Sequence, residues 1–480
     1  MKQSFHNDSH GLHYVRYATG WQIAGPGGAG ITVSCYVPPR RAYVYAISAT
    51  AAIAGLLFGF DTAVINGALV FLKEQFRLTD VQTEVAASAL LVGCLLGAGT
   101  SGELTDRFGR KRVLLAAAAL FCISSLGTAL PRTLEEFVAA RFVAGLAIGV
   151  ASVLAPMYIA EVAPPDIRGR LVALNQMAIV TGILLAYFVN WLLAGLGEAS
   201  WRWMFATAAL PSAAFFAALL LIPESPRWLV ARGRVSAAFA TLARVSGEKI
   251  AARQMEEIRA GIAEESGSWG ELLQPGLRRA MVLAVGLAIL CQVTGINTVI
   301  YYGALLFKEH AGSANASDAI GANVIIGLVN FLATILALAI IDRAGRRALL
   351  LVGTAGMGVA LFLLGLAFRM SPPPTQLLLG LILFYVACFA ISLGAVIWVY
   401  IAELFPTRVR GRAMSVATLF IWAACLLVTM TFLSMVRALS ASGAFWIYGS
   451  LCAVTFVFVW AFAPETKGRT LEEIQHLWRK

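Results

Sequence analysis

Gly102-Glu103-Leu104-Thr105-Asp106-Arg107-Phe108-Gly109-Arg110-Lys111 separates two apolar stretches, and its second half returns as Asp342-Arg343-Ala344-Gly345-Arg346-Arg347. From Asp106 to Asp342 the offset is 236. Two other motifs recur at nearly the same distance. Ala160-Glu161 with Arg168-Gly169-Arg170 returns as Ala402-Glu403 with Arg410-Gly411-Arg412, and Pro223-Glu224-Ser225 returns as Pro464-Glu465-Thr466. From Glu161 to Glu403 the offset is 242, and from Glu224 to Glu465 it is 241. Three motifs at one offset predict two duplicated halves, an arrangement that in membranes places a site at the interface of the repeats.

Composition supplies the solvent. Of 480 residues 59% are hydrophobic and 13% charged, against about a quarter charged in soluble domains. Twelve apolar stretches, each near the ~20 residues a spanning helix needs, fall at 43–72, 81–101, 113–130, 137–160, 171–194, 203–222, 280–307, 319–341, 348–368, 377–402, 413–436 and 443–463. The expected fold is an all-α polytopic membrane protein. Its parts are an N-terminal tail (1–42), a six-helix half (43–222), cytoplasmic linker helices (223–279), a second six-helix half (280–463) and a C-terminal tail (464–480). The tail 1–42, with its Gly25-to-Gly30 run, is expected to be disordered or an over-extended start. In the linker, the spacing of Phe239, Leu242, Met255, Ile258 and Ile262 predicts amphipathic helices.

The net charge of +11 does not indicate nucleic acid, because the cations sit in short clusters between apolar stretches. Arg107/Arg110/Lys111/Arg112, Arg168/Arg170, Arg343/Arg346/Arg347 and Arg408/Arg410/Arg412 each follow an even-numbered span. The positive-inside rule then places these loops and both termini in the cytoplasm. The motif charges Asp106, Arg107, Glu161, Arg168, Glu224, Asp342, Arg343, Glu403, Arg410 and Glu465 are expected to form a gating network that holds the halves together when the cytoplasmic side is shut. Topological anchoring is the simpler alternative. The seven cysteines lack metal or redox spacing and read as packing residues. With no phosphate-binding glycine loop, ATP is not implied and no cofactor is expected. With no nucleophile–base pair or metal cluster in the spans, neither is an enzyme.

Asp61 is the one acidic residue in the middle of a stretch, and Arg141 the one base well inside one. Ionisable groups in spans are costly and ordinarily face a cavity and pair. Asp61 lies 18 residues past Tyr43, ~27 Å along an outward helix, and Arg141 five past Glu136, ~8 Å along an inward one. Both fall in the outer half, where they can meet. A carboxylate that alternates between an arginine partner and a proton can carry that proton, since pairing lowers a carboxyl pKa and burial raises it. A permanent salt bridge fixing span one to span four is the structural alternative. No stretch contains a histidine, which excludes a histidine relay.

These motifs resemble the sugar porter family of the major facilitator superfamily over about 43–478. The resemblance includes Gly59-Phe60-Asp61-Thr62, Arg141-Phe142-Val143-Ala144-Gly145, Pro223-Glu224-Ser225-Pro226-Arg227-Trp228-Leu229, Gly295-Ile296-Asn297 with Tyr301-Tyr302, and Pro464-Glu465-Thr466-Lys467-Gly468. It implies the major facilitator fold and proton symport of a monosaccharide, whether pentose, hexose or polyol, through a plasma-membrane monomer whose partners are sugar, proton and lipid bilayer. Family members with Asp at position 61 tend to be proton-coupled. A passive facilitator, a sugar sensor or a metabolite exporter share the fold. A sugar needs amides that donate and accept, and an aromatic face; Gln176, Gln292, Asn297, Asn330, Trp398 and Trp422 match the family's sugar positions. The chain departs from the family at Cys291, where a glutamine is usual, at Cys425 or its neighbours Ala423 and Ala424, where an asparagine is usual, and at Ala390, where some relatives carry a carboxylate. These departures leave the substrate open.

Overall fold

The computed structural model describes residues 3–7, 12–17, 20–24, 30–34, 41–264, 269–310, 316–371 and 373–467. The remainder of the two expected tails lies outside these residues. Within 3–34 the chain forms four strands, β1 (Gln3–Asn7), β2 (Leu12–Tyr17), β3 (Gly20–Ala24) and β4 (Gly30–Ser34), paired antiparallel in sequence order. The segment is rich in strand-forming residues, among them Tyr14, Val15, Tyr17, Ile23, Ile31 and Val33.

From Arg41 onward the described chain is helical. The first half comprises α1 (Arg41–Gln75), α2 (Asp80–Phe108), α3 (Arg110–Ala129), α4 (Leu134–Val162), α5 (Arg168–Leu193), α6 (Ser200–Ala206) and α7 (Ala209–Leu221). The linker forms α8 (Pro226–Ala231), α9 (Val235–Ser246) and α10 (Glu248–Glu264). The second half comprises α11 (Pro275–Val293), α12 (Ile296–His310), α13 (Ala316–Ala344), α14 (Arg346–Ala367), α15 (Thr375–Phe389), α16 (Ala395–Leu404) and α17 (Thr407–Phe462).

Ten continuous helical segments among the described residues are long and apolar enough to cross a bilayer. Two of them, Arg168–Leu221 and Val409–Phe462, are 54 residues long. At the helical rise that is ~80 Å, more than twice the ~30 Å hydrocarbon thickness, so each contains two spans. The reversals fall where the backbone leaves helical geometry, at Gly197 (φ 81°) and Ser440 (φ 68°). Ten segments with two doubled give the twelve spans. Span seven is broken at Thr294-Gly295, between α11 and α12, and span ten carries a π turn, Ala390–Gly394, between α15 and α16.

Within each half the helices pack closely: α1 on α5 and α2 on α4 in the first, α14 and α11 on α17 in the second. Between halves the contacts are reciprocal, α2 against α17 and α5 against α13, with α1 against α12. Close approach in α1 depends on missing side chains. A Cβ at Gly59 would stand 1.9 Å from the Ile179 carbonyl oxygen of α5, and backbone cannot yield as a flexible side chain can. Gly59→Ala is therefore expected to cost about 1–3 kcal/mol by overpacking, read as a fall of several degrees in the apparent melting temperature of the purified protein.

The linker helices make their own small core from Trp228, Leu229, Ala238, Phe239, Leu242, Ala243, Ala251 and Met255, with Ile258 packed against it. The expected apolar face of the linker therefore closes on itself.

Candidate functional site

The repeated motifs build one construction twice, at the same end of the bundle. In the first half the chain turns at Gly109 (φ 95°) into α3, and the Glu224 carboxylate accepts from the exposed N–H groups of Arg110 (2.9 Å) and Lys111 (3.0 Å). A carboxylate at a helix start satisfies orphan donors and complements the helix dipole. The Arg110 guanidinium donates two bonds to Glu161, both at 3.1 Å, and one to Asp106 at 3.3 Å. Ser225 also donates to Glu161, and Tyr158 donates to the Pro223 carbonyl at 2.7 Å. In the second half Gly345 (φ 88°) precedes α14, and Glu465 accepts from Arg346 N (3.0 Å) and Arg347 N (3.1 Å). Arg346 pairs with Glu403 (3.0 Å) and Asp342 (2.9 Å), Thr466 donates to Glu403 (2.6 Å), and Tyr400 donates to the Pro464 carbonyl (2.7 Å).

With the opposite end of the bundle closed, both networks stay within one half. The physical reason is proximity: α3 and α4 are packed neighbours, so Arg110 at the start of one reaches Glu161 near the end of the other. Four arginines of the expected network make other contacts in this state. Arg107 lies over the Phe108 ring, Arg168 is exposed, Arg410 donates to the Phe405 carbonyl at 3.3 Å, and Arg343 offers its carbonyl to Lys467. The central cations are Arg110 and Arg346, which the sequence places in the motif without distinguishing. Tyr158 and Tyr400 could have been found there, since they share the 242 offset of Glu161 and Glu403. Removing the helix-start carboxylates, Glu224→Ala or Glu465→Ala, is expected to cost about 1–2 kcal/mol each, checked by thermal melting of the single variants.

In the interior, Arg141 of α4 is fully buried and Asp61 of α1 is 5% exposed. Arg141 Nη1 donates to Asp61 Oδ2 at 2.8 Å, and Nη2 donates to the Asp61 carbonyl at 3.3 Å. The guanidinium lies 5.2 Å from the centroid of the Phe205 ring in α6, and its Nε has no hydrogen-bond partner. The two residues thus meet, as their depths along the helices indicate.

The sugar candidates are divided. Gln292 and Asn297 flank the break in span seven, where Gly295 (φ 92°) turns the chain beneath the Tyr448 ring. The Asn297 amide donates to Gln292 Oε1 and, at 3.1 Å, to the Cys425 thiol of α17. Trp422, one turn before Cys425, packs on Phe58 of α1 with ring centroids 5.4 Å apart. Gln176 on α5, Asn330 on α13 and Trp398 on α16 are half-buried. By contrast, the cleft of Leu363, Leu366, Ala367, Met370, Leu377 and Leu381 is wholly apolar and offers a hydroxylated molecule nothing.

The opposite end of the bundle is closed. Lys73 of α1 pairs with Glu309 of α12 at 2.7 Å, Glu74 pairs with Lys308, and Tyr187 of α5 donates to the Ile300 carbonyl at 3.2 Å. Two residues absent from the sequence-derived candidates, Asn66 and Glu84, also cross there.

Two pseudo-equivalent six-span halves, with polar side chains meeting between them and one end shut, define a membrane transporter of the major facilitator fold rather than an enzyme. The chain belongs to the sugar (and other) transporter family, whose match covers residues 47–478. It is 38% identical over 445 residues to the arabinose-proton symporter of Bacillus subtilis, covering 91% of this chain and 96% of that one. It is also 38% identical over 477 residues to the D-xylose-proton symporter of Escherichia coli, covering 92% and 96%. Among solved structures it is similar to the partially occluded inward-open xylose transporter of Escherichia coli, with a TM-score of 0.80 and 35% identity over 89% of this chain and all of that one.

Proposed function

We propose that the protein couples the entry of a monosaccharide to an inward flow of protons by alternating access, with Asp61 as the proton carrier and Arg141 as its partner. The observation that carries this proposal is the buried Asp61–Arg141 pair at 2.8 Å, the ionisable couple set deep among the spans. Proton symport by two relatives at 38% identity supports it. Gln292, Asn297 and Trp422 form the sugar site, with Gln176, Asn330 and Trp398 facing the same path. The motif networks brace each half as a rigid body, so that movement occurs between halves. The basic ends lie in the cytoplasm, with both termini, and the protein works as a monomer in the plasma membrane.

The test is uptake of labelled pentoses and hexoses by liposomes containing the full chain, with or without an inward proton gradient. Concentration of one sugar only under the gradient is the expected result. Uptake that equilibrates equally without the gradient would make the protein a facilitator and the ion pair structural. If no sugar moves under either condition, the substrate class is wrong.

A further inference from the structure

Asn66 of α1 and Glu84 of α2 are fully or almost fully buried, at 0% and 2% exposure, and both reach from the first half into the second. What they touch there is largely backbone, the side-chain contacts being the Asn323 amide oxygen, 3.3 Å from Asn66 Nδ2, and the Ser434 hydroxyl on Glu84. Asn66 Nδ2 donates to the Ile300 carbonyl at 2.8 Å and the Val299 carbonyl at 3.2 Å, while the Ala304 N–H donates to Asn66 Oδ1 at 3.1 Å. In a helix the N–H of residue 304 belongs to the carbonyl of residue 300. The Asn66 amide thus sits astride one rung of α12, bonding to both of its members. Gly303 leaves the room, for a Cβ there would meet Asn323 Oδ1 at 2.4 Å and Asn66 Nδ2 at 3.2 Å.

Glu84 repeats the device on span eleven. Its Oε1 accepts from the Ser434 N–H at 2.8 Å and its Oε2 from the Ser434 hydroxyl at 2.7 Å. The ordinary partner of that N–H is the carbonyl of Met430, four residues back. A buried carboxylate with two charge-assisted bonds is held strongly. It is costly to strand, since losing the partners leaves a desolvated charge.

We infer that Asn66 and Glu84 are the gate residues that hold the closed end of the cavity shut, each by bonding to backbone groups of an opposing helix turn. This mode of closure has a property that side-chain-to-side-chain gates lack. When α1 and α2 withdraw, Ile300 and Ala304 have each other as partners, and Ser434 N–H has Met430, so the second half opens with no backbone group orphaned. Asn66 lies five residues beyond Asp61 on the same helix, ~7.5 Å along it, so a shift of α1 at the ion pair moves the gate directly. The surface pairs Lys73–Glu309 and Glu74–Lys308 are partly exposed, and solvent screening leaves such pairs with little weight.

The inference rests on the alternating-access mechanism proposed above, and its test reads conformation without any sugar, so the two can fail separately. Spin labels attached through non-natural ketone side chains at Leu130 and Leu439, both exposed at the closed end, report the separation of the halves in the liposome-reconstituted chain. Asn66→Ala and Glu84→Ala are expected to raise the long-distance fraction at least threefold over wild type. Glu84→Gln, which keeps the packing and part of the bonding, and Asn66→Ser, which keeps a smaller hydrogen-bonding side chain, should fall between and remain informative if an alanine variant does not fold. A distance distribution unchanged from wild type in the folded Asn66 and Glu84 variants would overturn the inference.

Discussion

Replacing Asp61 by Asn is expected to abolish gradient-driven accumulation while leaving sugar exchange across the liposome membrane intact. The amide keeps the shape of the carboxyl and can still accept from Arg141, so α1 and α4 remain joined, but it cannot take up a proton at any physiological pH. At one proton per sugar, each unit of pH gradient drives at most about tenfold accumulation, since 1.4 kcal/mol is a factor of ten. The variant's accumulation ratio should therefore drop to one at every imposed gradient. Measuring counterflow beside net uptake separates the outcomes. Accumulation that persists in Asp61→Asn would move the proton site elsewhere, and loss of counterflow as well would give Asp61 a role in binding or folding.

Arg141→Leu should have the larger effect on the folded protein. It leaves Asp61 in a site nearly closed to water without the guanidinium at 2.8 Å. Breaking one side of a buried ion pair costs about 3–5 kcal/mol, comparable with the whole stability of many domains. The single variant is expected to yield little monodisperse protein in detergent. The double variant Asp61→Asn with Arg141→Gln removes both charges and should recover most of that yield, with exchange but no accumulation. Size-exclusion profiles of the three proteins check this. Equal yields for Arg141→Leu and wild type would mean that Asp61 takes a proton in the folded protein without difficulty, and that the pair contributes little to folding.

The duplication, the twelve spans and the meeting of Asp61 with Arg141 were all legible from spacing, because each follows from position along a helix. What spacing does not specify is which neighbouring helix a side chain finds. Arg110 and Arg107 stand in one motif, yet only Arg110 turns inward to Glu161, a choice set by the turn at Gly109. Glu84 stands four residues past Asp80 in the polar start of α2 and reads from sequence as an interfacial charge; burial follows only from the approach of α17. Asn66 is a lone amide in an apolar run, and most of its partners are backbone atoms more than 230 residues away, which carry no side-chain signature; Asn323 is the side-chain exception. Cys425 appears in sequence as a missing amide. In the folded protein its thiol still accepts from Asn297, so the position keeps a polar contact while losing a donor.

The tight reversals at Gly197 and Ser440 bear on how the chain enters the bilayer during synthesis. The stretch from Ala194 to Ala199 carries one charge, Glu198, and around Ser440 the nearest charge is Arg437. Spans five with six, and eleven with twelve, are thus paired helices with short tips that carry few charges, Glu198 and Arg202 in one and Arg437 in the other, and with basic clusters at the base. Such a pair can enter together as a preformed hairpin, its base held by those clusters, with no long hydrophilic loop to thread. The halves would then each be completed by one concerted insertion, the first after Leu221 and the second after Phe462.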